Sequence, residues 1–383
     1  MRIIRRFVFT AAFLVASVLM IRAAKQYGDF LFMFYPGVMR EVQAFLSEFS
    51  AKFDYLLWER AALIALCWAG ITLLLDILLQ ENLLRWISGV LAVAAFLLCA
   101  YVGLNGLNHY APSVAEGMRL DVRSEYSAAQ LKDAAVYYRT GANKAAAEVD
   151  RDYQGNFDAA EFATLADQVG SGMHNLIRVS YVFGGSSIAP KELGYLSKYN
   201  IPSLYCCFTG ECCVNPNVED IALPFVMGRE VSRRMSIARD DDAAFISAVS
   251  AMASDSVDYR YSGYFMAYRF CMEALESLDP EAAAEVAAGE SDELKADLDA
   301  CTFETEHSLG AQWLPKVEEL DKKELEGEVS EAPDVAALLV SWHIRQTTPT
   351  EEPEEEPETV PEDLPEEELP EEDEGQNEPV EVR

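Results

Sequence analysis

Three apolar stretches within the first 110 residues constrain this chain more than any other feature. Phe7–Ile21 is uncharged, with Arg2, Arg5 and Arg6 before it and Arg22 after it. Ala61–Leu79 carries only Asp76, near its end, and Trp86–Leu104 is uncharged. Each approaches the roughly 20 residues that a helix needs to cross a hydrocarbon core. The short "QENLLR" between the second and third makes them a helical hairpin. The pattern predicts three transmembrane helices, at about 7–24, 60–79 and 84–106. The first also has the basic start, apolar middle and small residues (Ala23, Ala24) of a signal peptide, but Arg22 interrupts it just before the plausible cut.

Arginines set the expected orientation. Arg2, Arg5 and Arg6 favour a cytoplasmic N-terminus. Three crossings then place everything after residue 105 or so outside. The first loop also carries Arg22, Lys25, Arg40 and Lys52. Within it, Val38, Val42, Phe45, Leu46 and Phe49 recur at helical spacing. A helix is expected there, lying on the outer membrane surface or packed under the following domain. The lipid bilayer is thus the first expected partner.

Residues 112–346 read as a mostly helical domain, and 1–111 as the membrane region. Ser127-x-x-Gln130 is a capping box opening one helix. Asp158-x-x-Glu161 opens another helix, to about Val179, and further helices are expected at about 221–237, 240–254, 261–278 and 332–346, with a loop and short helix over 180–200. Thr209-Gly210, flanked by β-formers, predicts a small β-hairpin. His174 and His343 each stand alone, and read as surface or packing residues rather than ligands. From Thr347 to 383 the chain is dense in Glu and Pro, which cannot support a core, so a disordered acidic tail is expected. Roughly half of the formal charge of −34 sits in that tail. With no basic stripe and no glycine-rich phosphate loop, nucleic acid is excluded as a partner.

Six of the eight cysteines lie outside the expected spans, an even number that fits disulfides in an oxidising compartment. Cys67 and Cys99 read as packing residues within the membrane. Cys206 and Cys207 lie on one hairpin arm, Cys212 and Cys213 on the other, so a cross-arm disulfide is expected. A zinc knuckle is disfavoured, because adjacent strand residues point to opposite faces and their sulfurs do not converge.

Between 223 and 245 the chain reads "LPFVMGREVSRRMSIARDDDAAF". Arg229-Glu230-Val231-Ser232-Arg233 has the rhythm of the zinc-peptidase helix H-E-x-x-H, with arginine at both histidine positions. From spacing alone such a stretch is a charged helix face. Together with "YCCFTGECCVNPNVED" and "VDYRYSGYFMAY", however, it resembles the bacterial membrane family known as domain of unknown function 3810, over about residues 1–345. The resemblance implies an extracytoplasmic, gluzincin-like, zinc-peptidase-like domain. Its two ligand histidines fall on Arg229 and Arg233, its general base on Glu230, and its third ligand on Asp242. Phe208-Thr209-Gly210-Glu211 and Arg260-Tyr261-Ser262-Gly263-Tyr264 keep the family pattern.

Arginine is a permanent cation without a free lone pair and cannot bind zinc. The expectation is therefore a pseudoenzyme with no zinc and no other cofactor. Arg229 and Arg233 are expected to face Asp242, with Glu230 a vestigial base. Such a protein would be a non-catalytic binding or regulatory module in the bacterial plasma membrane, with an envelope peptide or protein as partner. The alternative is an active membrane hydrolase with an atypical metal site built on Glu230 and Asp242.

Overall fold

The computed structural model describes residues 2–122, 126–179, 188–199, 201–301 and 333–348, with backbone alone at 2 and 174–179. The His174 side chain, residues 180–187 of the expected 180–200 loop, and the acidic tail beyond residue 348 lie outside this set. The chain is mainly helical. Helix α1 (Arg2–Gln26) runs almost directly into α2 (Gly28–Phe32) and α3 (Tyr35–Ser50), and α4 (Leu57–Leu78) and α5 (Leu83–Leu104) follow as a hairpin. Stretches of 24, 22 and 22 residues in α1, α4 and α5 are long and apolar enough to cross a membrane. At about 1.5 Å per residue each reaches roughly 33 Å or more, matching a hydrocarbon core of about 30 Å. α4 buries none of its apolar window. A helix that is apolar all round and left uncovered has lipid as its solvent.

α1 and α5 run parallel and pack along their length. Arg6 donates to the Arg85 carbonyl at one end, Phe13 meets Phe96 edge-on midway, and Ala24 meets Val102 and Leu107 at the other end. Arg2, Arg5, Arg6 and Arg85 therefore share the end remote from the helical domain. The spans agree with expectation to within a few residues. The first starts earlier, because its arginines are helical too.

α3 is built inside out. Gln43, Ser47 and Ser50, a small polar stripe at helical spacing, are its buried residues. Val38, Phe45 and Phe49 point outward, as do Phe30, Met33 and Phe34 just before them. The helix thus packs under the domain with its polar face and keeps its apolar face outward. Lipid, not water, is the solvent in which that choice lowers the free energy.

The domain after α5 comprises α6 (Val114–Gly117), α7 (Ala128–Ala146), α8 (Phe162–Val179), α9 (Leu223–Arg234), α10 (Asp240–Met252), α11 (Val257–Leu278), α12 (Pro280–Ala287), α13 (Asp292–Ala300) and α14 (Val335–Thr347). α7 opens with the expected capping box. α9 is the buried axis, enclosed by α8, α10, α11 and a small sheet. It can lie so close because residue 228 is glycine: a Cβ there would sit 2.4 Å from Ser247 Oγ and 2.7 Å from Tyr259 Oη. Phe225, Phe245 and Phe265 are wholly buried in the core. Each contributes roughly 1.5–3 kcal/mol of apolar burial. Of the two histidines, His343 packs its ring on Tyr137, with centroids 4.9 Å apart.

The sheet has the order β1 (Lys191–Glu192), β3 (Glu211–Val214), β2 (Ser203–Cys206). The β2–β3 hairpin forms as expected, with Gly210 at φ 67° in its turn. β1 lies in a segment expected to hold only a loop and a short helix. Two residues pairing parallel to β3 are too short to leave a periodic signal. The expected cross-arm disulfide does not form, and all eight cysteines are free thiols. The register explains why: Cys206 faces Glu211, Cys212 faces Tyr205 and Cys213 faces Leu204, so no two cysteines stand opposite. Burial pushes the Cys207 and Cys212 thiols up to about 12.

Candidate functional site

The second half of α9 turns three charged residues toward the hairpin and the start of α10. Glu230 is fully buried. Its Oε1 accepts hydrogen bonds from Ser203 Oγ and from Arg233 Nη1, each at 2.7 Å. The other arm of the Arg233 guanidinium donates to Asp240. One planar fork therefore ties two carboxylates together, one buried in α9 and one at the first turn of α10. Arg229 reaches Ser203 Oγ at 3.4 Å through Nη2, while its Nε stays 3.9 Å from Glu230 Oε1.

The electrostatics follow from burial and neighbours. Burial pulls the Arg229 pKa down and the adjacent Arg233 adds to this, against Glu230 and Asp240. Burial also opposes the charge on Arg233, but Glu230 and Asp240 outweigh it and raise the pKa. The Asp240 carboxylate is exposed, but the neighbouring protein partly desolvates it, which would raise the pKa; the guanidiniums of Arg233 and Arg229 outweigh this and hold it below the usual carboxylate range. His109, in the turn after α5, acts in the same direction.

Asp242 does not face the two arginines, contrary to expectation. Its carboxylate accepts from Ser113 Oγ at 2.7 Å and from the Val114 amide at 3.4 Å, and it pairs with Arg239 at 3.6 Å. Positions two apart on a helix diverge by about 200°, so of residues 240 and 242 only one can look at α9. Asp240 takes that place, and Asp242 caps α6 instead. Burial raises the Asp242 pKa. Sequence reasoning passed over Asp240 as the partner, although the run of three acids before a helix fixes that only some can face the arginines.

Zinc does not fit the residues present. Arg229 and Arg233 stand where the resemblance puts imidazoles, and neither has a lone pair to offer. The Arg233 fork occupies the space between Glu230 and Asp240. Among the described residues, no group of three or more His, Cys, Asp or Glu side chains is placed to share a metal ion.

The retained motifs do structural work. Glu211, also buried, accepts from the Leu57 and Trp58 amides at 3.0 Å each, capping the first turn of α4. Lys191 donates to it at 3.1 Å and also to the carbonyls of Ser50 and Phe53, at the end of α3 and just beyond it. Cys212, next along β3, donates to the Glu230 carbonyl at 3.1 Å. Cys213, on the other face, accepts from Trp58 Nε1 at 3.4 Å. In the Arg260–Tyr264 stretch, Ser262 Oγ bridges the Ile221 carbonyl and the Phe225 amide, anchoring the start of α9. Arg260 pairs with Glu148 at 2.8 Å.

Two cavities flank these joints, and neither is lined by Arg229, Glu230 or Arg233. One of about 350 Å³ lies between α2–α3 and the α9–α10 turn. The other, of about 610 Å³, lies beside the α3–α4 link and β1.

Three membrane helices joined to a mainly helical domain with a small mixed sheet define a membrane protein with a folded headpiece. Residues 31–311 match the family described as "Protein of unknown function (DUF3810)", and the chain belongs to that family. The match agrees with the resemblance read from the motifs, and the family's description names no activity. No curated protein and no solved structure matches the chain.

Proposed function

We propose that this chain is a multi-pass protein of the bacterial plasma membrane whose extracytoplasmic domain is metallopeptidase-like in form and non-catalytic, acting as a binding or regulatory module toward an envelope peptide or protein. In this reading residues 1–111 form the membrane region, 112–346 the outer domain and 347–383 an extended acidic tail. The single observation that carries it is the Arg233 fork between Glu230 and Asp240, which puts a hydrogen-bonded cation where a hydrolase would need an electrophile. A base without an activated water supplies no hydrolysis. The hydrolase reading gains no support, because Glu230 and Asp242 hold separate partners. Clustered arginines at the end remote from the domain support a cytoplasmic N-terminus.

The test is zinc content and peptide cleavage of the full-length chain purified in detergent. The expected result is zinc far below one per chain and no cleavage, with zinc binding gained when Arg229→His and Arg233→His are combined. Stoichiometric zinc in the unaltered protein, or cleavage abolished by Glu230→Gln, overturns the reading. Protease added to spheroplasts is expected to remove the acidic tail, and a protected tail reverses the orientation.

A further inference from the structure

The cavity of about 350 Å³ lies where the membrane helices meet the domain. Phe32 of α2, Met33 just after it, and Pro36 and Arg40 of α3 form one wall. Asn108, in the turn just past α5, and the α9–α10 turn with Ser236 and Arg239 form the other. The α2 wall follows α1 after one residue, so the cavity is level with the ends of two spans. Met33 and the neighbouring Phe30 and Phe34 are exposed and apolar on that side.

Several of its polar atoms lack a partner. Ser236 is buried, yet its Oγ makes no hydrogen bond. The backbone holds it at φ 68°, a conformation costly for a residue with a Cβ. Arg239 spends Nε on Asp242, while its buried Nη2 donates to nothing. Arg40 is half-buried and has no ion pair among the described residues, and desolvation lowers its pKa. Asn108, buried as well, leaves Oδ1 without a donor. The two carboxylates nearby do not satisfy these groups. Asp242 is committed to Ser113, Val114 and Arg239, and Glu116 is exposed at the rim.

A buried hydroxyl and two guanidiniums left with free donors call for an anion with several acceptor oxygens. The apolar wall of α2 calls for an acyl chain beside it. We propose that this cavity binds the phosphate of a membrane phospholipid, held by Arg40, Arg239 and Ser236, with Asn108 Oδ1 accepting a hydrogen from the rest of the headgroup and the acyl chains lying along α2. Basic pockets at the ends of spans are recurrent sites for lipid headgroups, and the volume is that of a small-ligand site. This site is separate from the Glu230 cluster, and its fate does not depend on whether that cluster is catalytic.

The experiment follows thermal unfolding of the full-length chain in an uncharged detergent, titrated with a short-chain phosphatidylglycerol below its micelle concentration. Parallel titrations use a short-chain diacylglycerol and inorganic phosphate. The phospholipid is expected to raise the melting temperature saturably, and the other two are not. Arg40→Met and Ser236→Gly, which removes the hydroxyl while easing the backbone, are each expected to weaken the response tenfold or more. Equal responses from the unaltered chain and both variants overturn the proposal. A phosphate response as strong as the phospholipid's, and lost in Arg40→Met, assigns the site to a soluble phosphate and overturns the lipid.

Discussion

Lys191 Nζ and Glu211 Oε1 stand 3.1 Å apart, and the pair clamps two helix ends. Glu211 caps the start of α4, where a negative charge meets the positive end of the helix dipole. Lys191 meets carbonyls at and just past the end of α3, where a cation is favoured. The domain thus grips the membrane helices through complementary charges.

Removing one member of this pair leaves the other buried without its counter-charge. Lys191→Met is expected to cost about 3 kcal/mol. Glu211→Gln in the same background is expected to recover part of it, because the stranded carboxylate is gone. Melting curves of Lys191→Met, Glu211→Gln, the double variant and the parent in detergent give the coupling directly.

The charge cluster predicts an order of effects. Arg233→Met strands the fully buried Glu230 and is expected to be among the most damaging single changes, on the order of 3–5 kcal/mol. Asp240→Asn touches an exposed carboxylate and is expected to be mild. Adding Glu230→Gln to Arg233→Met is expected to restore stability. If Arg233→Met and Asp240→Asn prove equally mild, the fork does not hold α9.

Asp240 also sets a pH dependence. Its pKa is lowered in the fold, so its stabilising contribution is present above the unfolded value of about 3.9 and is lost as pH falls through the lower folded value. Acid unfolding followed by tryptophan fluorescence is expected to be shallower below about pH 4 in Asp240→Asn than in the parent.

Gly210 predicts a failure of assembly. A Cβ at this position would lie 2.6 Å from the Ser47 amide and 2.9 Å from the Gln43 carbonyl, and φ 67° adds strain. Gly210→Ala is expected to separate α3 from the hairpin. Limited proteolysis should then cut between α3 and α4 far faster than in the parent.

Much of this was legible in the sequence because its causes are local. The apolar runs of α1, α4 and α5, the Ser127 capping box and the Thr209-Gly210 turn each need only neighbouring residues. What escaped were long-range choices. Glu211 reads as a family signature, yet its partners Leu57 and Trp58 lie some 150 positions away. The choice of Asp240 over Asp242 depends on the angle at which α10 meets α9. The α3 helix and its apolar stripe were legible, but that Gln43, Ser47 and Ser50 are the residues that meet the domain depends on the distant hairpin. The free cysteines follow from a hairpin register that composition does not reveal.

The clamp has a consequence for release of the domain from the membrane. The peptide chain enters the domain through the link between α5 and α6, but the domain is also gripped through Gln43, whose side chain donates to the Cys207 carbonyl, and through the Leu57 and Trp58 amides. A protease that severs the α5–α6 link alone would cut the tether without shedding the headpiece. The severed piece would stay seated on α3 and α4, and only denaturation or extraction of those helices would free it.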